Sequence, residues 1–407
     1  MVFMVYPEKS ISKTSLILLL GALAAMGPLS IDMYLPAFPD VERDLQAASG
    51  MVGATLATFF AGLCLGQVIY GPMSDTVGRK RPLLLGIAIY MGSSIGCLFA
   101  NSIELLLLLR FFQALGACSG MVVGRAMIRD LFEPTETARV FSLVMLTMGV
   151  APILAPIMGQ FISDFAGWRA IFGFMVAYSV LVWTAIARLL PPETPRRREP
   201  SKAPLWRRFA SVLKDRGFVA FALSGTLIQG GLYAYITGSP TLFMEDLHLS
   251  SKAFSLLFGV NALGLILASQ LNSWLLKHYA YQAILERCLQ VAAVAAVVLA
   301  VMGVGEIGGL FIAVPLFVFI ASLGLVFPNS TAGALAGQGH QAGTASAVLG
   351  VIQYGGAAVA SATVGMLHQF TKAPLQLTVG ACGVLSVLVF QRLVVSARGA
   401  AQPAVAT

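Results

Sequence analysis

The chain has 407 residues, of which 57% are apolar and 11% charged, with a mean hydropathy of +0.83 and a formal charge of +8. About 25% of residues in a soluble domain are charged, so this chain lacks the polar surface of a water-exposed globule, and a bilayer is the solvent that accounts for it. The positive balance requires no nucleic acid, because basic residues of membrane proteins collect in cytoplasmic loops.

A spanning helix needs about 20 mostly apolar residues. That criterion marks spans near 14–36, 51–72, 82–100, 103–125, 138–162 and 168–190, then 217–239, 253–275, 286–304, 308–330, 343–367 and 374–395. The first lacks a small-residue cleavage site after a short core, so it reads as a retained span. With the N-terminus in the cytoplasm, 21 Lys and Arg fall on the cytoplasmic side and 4 outside, and Arg110 alone stays within a span. This asymmetry puts both termini in the cytoplasm.

The longest polar stretch, 191–216, separates residues 1–190 from 217–407, six spans each. A faint repeat agrees with that division. Leu35-Pro36 and Leu45 recur as Ser239-Pro240 and Leu249, and Gly62-Leu63-Cys64-Leu65 as Gly264-Leu265-Ile266-Leu267. Two such halves joined by a cytoplasmic loop resemble the major facilitator superfamily, an all-α membrane fold of twelve helices with its substrate site between the halves.

Within the first span, Asp32 lies about 27 Å up the helix axis from the cytoplasmic end. An acid there must face water, a cation or a cavity, or else mark the headgroup boundary. Arg110 in span four lies about 10 Å below the outer surface, at comparable depth, so the two are candidates for a buried or cavity-facing charge pair. Gln113 shares the face of Arg110, while Gly116, Gly120 and Gly124 suit close helix packing on another.

After span two the sequence reads Gly71-Pro72-Met73-Ser74-Asp75-Thr76-Val77-Gly78-Arg79-Lys80-Arg81, close to the superfamily signature G-x-x-x-D-x-x-G-R-K/R-R. Glycines at 71 and 78 suit a tight turn, and Asp75 sits among basic residues. The resemblance implies that Asp75 faces the start of span eleven near Gly343-Thr344, and that Arg79 pairs with Asp130, as a cytoplasmic gate. The corresponding loop of the second half has Lys277, Ala280 and Tyr281 instead, a decayed copy. In span five, Pro152 and Pro156 with small residues at 151, 155 and 159 resemble the antiporter motif, Gly159 included, although Ala155 and Gln160 depart from it.

Together, Asp32-Met33-Tyr34-Leu35-Pro36, the 71–81 turn, Arg110 with Gln113, Pro152/Pro156 and Gly167-Trp168-Arg169 resemble the Bcr/CflA drug-resistance family. Gly238-Ser239-Pro240 and Pro328-Asn329 extend the likeness across the whole chain. The resemblance implies a bacterial inner-membrane antiporter, driven by proton entry, that exports small, partly apolar antibiotics as a monomer. An exporter of an amino acid or sugar on the same plan is the alternative. Relatives with a second acid in span one would carry it about two turns before Asp32, where this chain has Ala24. Asp32 and Arg110 are the expected coupling residues.

Gln229, Tyr233, Tyr235, Asn261, Asn329, Gln353 and Tyr354 either line the cavity or bond neighbouring helices. Of these, Tyr233, Asn329 and Gln353, with Gln113, are the cavity candidates. No phosphate-binding loop is present, which argues against ATP coupling, and the widely spaced cysteines and histidines form no catalytic or metal pattern. An enzyme is not expected, nor a cofactor.

Overall fold

The structure, a computed structural model, describes residues 12–48, 50–132, 134–190, 204–307, 309–338 and 341–395. The 191–203 part of the central polar stretch lies outside the described residues. The elements are α1 (Lys13–Asp32), α2 (Phe38–Leu45), α3 (Met51–Val77), α4 (Lys80–Leu98), α5 (Ile103–Leu131), α6 (Pro134–Ala166), α7 (Arg169–Leu189) and α8 (Leu205–Leu213). They continue with α9 (Arg216–Pro240), α10 (Ser251–Leu275), α11 (Tyr281–Val304), α12 (Ala313–Leu335), α13 (Ala342–Leu367) and α14 (Pro374–Phe390).

Among the described residues, eleven helical segments are long and apolar enough to cross a membrane, with α1 and α2 together forming the first. The twelfth is α6, helical from Pro134 to Ala166, whose described apolar stretch is Val150–Ala166. Helices satisfy their own backbone groups, which is what hydrocarbon demands. Several expected boundaries shift, the end at 72 to Val77 and the start at 286 to Tyr281 among them. The span placed at 308–330 is the helix Ala313–Leu335, and the one ending at 125 continues as helix to Leu131.

The first span is broken. Helix α1 ends at Asp32, a 3₁₀ turn follows over Leu35–Ala37 with Pro36 in it, and α2 then carries the chain on to Leu45. Proline cannot donate its missing N–H, so the backbone changes pitch there.

In the first half, α5 packs against α3 and α4, α7 against α4, and α1 against α6 and α5. In the second half, α14 packs against α9 and α11, and α12 against α9, α10 and α11. The halves meet along α3 with α13 and α6 with α10.

The two faces of the bundle differ. At the face away from α8, α2 packs against a π-helical turn, Thr241–Asp246, that extends α9. There the Glu42 carboxyl meets that of Glu245, and Gly50 lies against the His368 ring. At the face carrying α8, Gly71 of α3 and Gly343 of α13 look into open space.

Candidate functional site

Asp32 is 4% exposed, at the point where α1 stops being helical. The chain beyond it (Met33, Tyr34, Leu35, Ala37, Phe38) is also buried, so Asp32 is inside the protein. Its carboxyl lies within electrostatic reach of the Tyr233 and Tyr235 hydroxyls, both from α9 of the other half.

Around that point the halves present aromatic rings to each other. Tyr233 packs 4.4 Å from Phe60 of α3 and 6.5 Å from Tyr354 of α13, centre to centre. Tyr235 stacks 5.4 Å from Phe258, and its hydroxyl accepts from the Asn261 side-chain amide at 2.9 Å. Gln229 donates to the Tyr233 hydroxyl at 3.5 Å, and Oε1 of Gln229 is buried without a partner. Gln353 is half-buried on α13, one residue before Tyr354.

The expected Asp32–Arg110 pair does not form. Arg110 is fully buried inside the first half, where it donates to Oε1 of Gln113 at 2.5 Å and to the Ser30 carbonyl at 2.9 Å. Its guanidinium lies 4.4 Å from the Phe59 ring centre, 5.0 Å from Tyr34 and 5.8 Å from Phe172. Ser30 is two residues before Asp32, so the same helical turn presents its carbonyl to Arg110 and its carboxylate to the other half. The two charges therefore take different surroundings, Arg110 within its own half and Asp32 toward the other.

Two cavity candidates move for the same reason. Gln113 is fully buried and donates to Ser94 Oγ at 2.7 Å, closing a network within the first half. Asn329 donates to Oδ1 of Asn272 at 2.7 Å and so ties α12 to α10 inside the second half. Both are framework residues, not cavity lining.

In the 71–81 turn, Gly71 is helical, and only Gly78 takes a left-handed φ, +88°, at the end of α3. Arg79 donates Nε and Nη2 to Oδ2 of Asp130 at 3.0 and 2.7 Å, and Nη1 to Ser74 Oγ at 2.7 Å and Asp75 Oδ1 at 2.9 Å. Burial works against the Arg79 charge, but the carboxylates of Asp130 and Asp75 outweigh it and hold the guanidinium above its ordinary pKa. Thr344, where Asp75 was expected, instead accepts a hydrogen bond from Arg208 at 2.6 Å.

In α6 both Pro152 and Pro156 lie within the helix, and Ala151 and Ala155 are buried. A side chain on Gly159 would strike the Met33 carbonyl, so glycine there lets α6 seat directly on the break that follows Asp32. The Gly116 backbone similarly abuts Gly86 and Tyr90. Sequence reasoning missed the Phe59 and Phe172 rings around Arg110, since neither differs from an ordinary core phenylalanine in a linear pattern. Nor did it see the clasp in which Trp168 and Arg169 both donate to Asp44 Oδ2.

Residues 18–361 match the Major Facilitator Superfamily. The chain belongs to that superfamily. It shares 35% identity with an uncharacterized MFS-type transporter, YdgK, of Bacillus subtilis, over 93% of this chain and 95% of that one. Multidrug resistance protein D of Escherichia coli is 30% identical over 92% of this chain and 94% of its own length. The bicyclomycin resistance protein homolog of Haemophilus influenzae is 29% identical, with the same coverage. A crystal structure of a D-xylose-proton symporter superposes with a TM-score of 0.76 at 14% identity, covering 93% of this chain and 97% of that one, which confirms the fold. As a major facilitator protein the chain moves a solute and does not transform it.

Proposed function

We propose that the chain is a proton-coupled antiporter that exports small, partly apolar drugs across a bacterial inner membrane, by alternating access between its two halves. The relatives named for multidrug, bicyclomycin and chloramphenicol resistance support that substrate range. The halves are residues 1–190 and 217–407, joined by 191–216, with both termini cytoplasmic and one chain as the working unit. The face carrying α8 is then the cytoplasmic one.

The observation that carries the reading is Asp32, buried at the meeting of the halves, with no ion pair among the described residues and with tyrosines of the opposite half within electrostatic reach. A buried carboxylate without a cation must hold a proton or capture a cationic group. Because Arg110 is engaged elsewhere, Asp32 exchanges its proton against substrate without an internal counter-charge. The half-buried aromatic surfaces of Tyr233 and Tyr354 offer a loose apolar wall that suits several compounds.

In proteoliposomes with an imposed pH gradient, Asp32→Asn should lose efflux of a chloramphenicol-type compound by about 100-fold or more, the scale of a lost proton-transfer group. Membrane insertion should be unchanged. Undiminished gradient-driven efflux in that variant overturns the assignment.

A further inference from the structure

The two halves touch along α3 and α13, and that contact has a register. Gly350 lies against the Gln67 side chain, and Cys64 Sγ donates to the Val351 carbonyl at 3.5 Å. The contact runs antiparallel, with higher numbers on α3 meeting lower numbers on α13. Eight residues past Gln67 is Asp75, and seven before Gly350 is Gly343. Both lie about 11–12 Å further toward the face carrying α8. Asp75 and the first turn of α13 therefore stand opposite each other across the gap between the halves.

The first turn of α13 already holds a cation. Arg208 donates Nη2 to Thr344 Oγ1 at 2.6 Å and makes no ion pair among the described residues. A positive charge is disfavoured at a helix N-terminus unless an anion joins it. Helix α8 is seated to keep Arg208 there. Ser211 Oγ bonds Oε1 of Gln341 at 2.9 Å, and Gln338 donates to Asp215 Oδ2 at 2.5 Å. Asp215 also caps α9, accepting from Gly217 N at 2.8 Å. The adjacent Arg207 is turned away, its guanidinium 5.2 Å from the centre of the exposed Trp206 ring.

Asp75, meanwhile, is half-exposed and shares Arg79 with Asp130, a carboxylate only 10% exposed that takes two of the Arg79 bonds. Releasing Asp75 leaves the Arg79–Asp130 pair intact. We propose that Arg208 of α8 is the partner Asp75 takes across the divide when this face closes, so that the segment joining the halves supplies a charge to the gate. The pair forms in the opposite state of the alternating-access cycle, on which the proposal rests, and breaks in the state seen here.

The test uses disulfide trapping in membrane vesicles, which reads geometry whether or not a drug is moved. Oxidation of the Asp75→Cys/Arg208→Cys variant should yield a cross-link absent from the parent chain, whose own cysteines are unpaired. A Ser211→Cys/Gln341→Cys variant, spanning a contact already present, should cross-link readily and reports that α8 is docked. In transport, Arg208→Glu should slow turnover about five- to tenfold with substrate binding unchanged, the scale of a modest coupling between sites. Adding Asp75→Lys should restore most of the loss. Cross-linking at 211/341 without any at 75/208, or an Arg208→Glu loss that Asp75→Lys does not rescue, overturns the proposal.

Discussion

Two charges lie deep in the bundle on either side of one helical turn, and the protein treats them in opposite ways. Arg110 is wrapped on every side by its own half, with two strong hydrogen bonds and three aromatic faces, and only its Nε lacks a partner. Asp32 faces the other half and, among the described residues, has tyrosines within electrostatic reach but no ion pair. A buried charge with its partners built in contributes to the framework. One left without them can change its occupancy, which is what a transporter needs from at least one group.

The sharpest way to break this contrast is to neutralise each charge in turn. Asp32→Asn should abolish coupled transport as stated above while leaving thermal stability in detergent within about 1 kcal/mol. Arg110→Met should do the reverse in emphasis. It strands Oε1 of Gln113 and the Ser30 carbonyl and removes the cation from three rings, which costs about 3 kcal/mol, seen as a lower unfolding midpoint. Equal loss of stability in both variants would erase the distinction.

Smaller effects should sharpen it. Gly159→Ala pushes a methyl group into the Met33 carbonyl beside Asp32, and overpacking of that kind costs about 1–3 kcal/mol. Transport should fall severalfold in that variant even though no charge is touched, as measured by initial efflux rates. The mildest change is Tyr233→Phe, which keeps the ring against Phe60 but removes a hydroxyl near Asp32. It should shift substrate affinity by about twofold, read by a binding titration, with turnover preserved.

The fold was legible because apolar length is a property of whole segments. Asp32 and Arg110 stood out because charges within apolar runs are rare and costly. What could not be read was the direction each faced. Helix α1 is apolar almost all round and buried on most sides, so it carries no polar stripe from which to infer rotation. Gln113 and Asn329 suffered the same fate, since an amide that lines a cavity and one that ties two helices look alike in a sequence. The turn at 71–81 fared better. The resemblance pointed to Asp130 as the partner of Arg79, and the two do pair, but Asp75, expected at the start of α13, bonds the same arginine instead. Arg208 was one arginine among many in a basic stretch, and only the fold singled it out.

Whether Asp32 is the exchangeable site can be measured without transport. Purified protein in weakly buffered detergent is mixed with a chloramphenicol-type substrate while a pH indicator follows proton release. The wild-type chain should release protons in proportion to substrate bound, Arg110→Met should retain that release in whatever fraction remains folded, and Asp32→Asn should release none. Proton release of wild-type size from Asp32→Asn would contradict the central assignment.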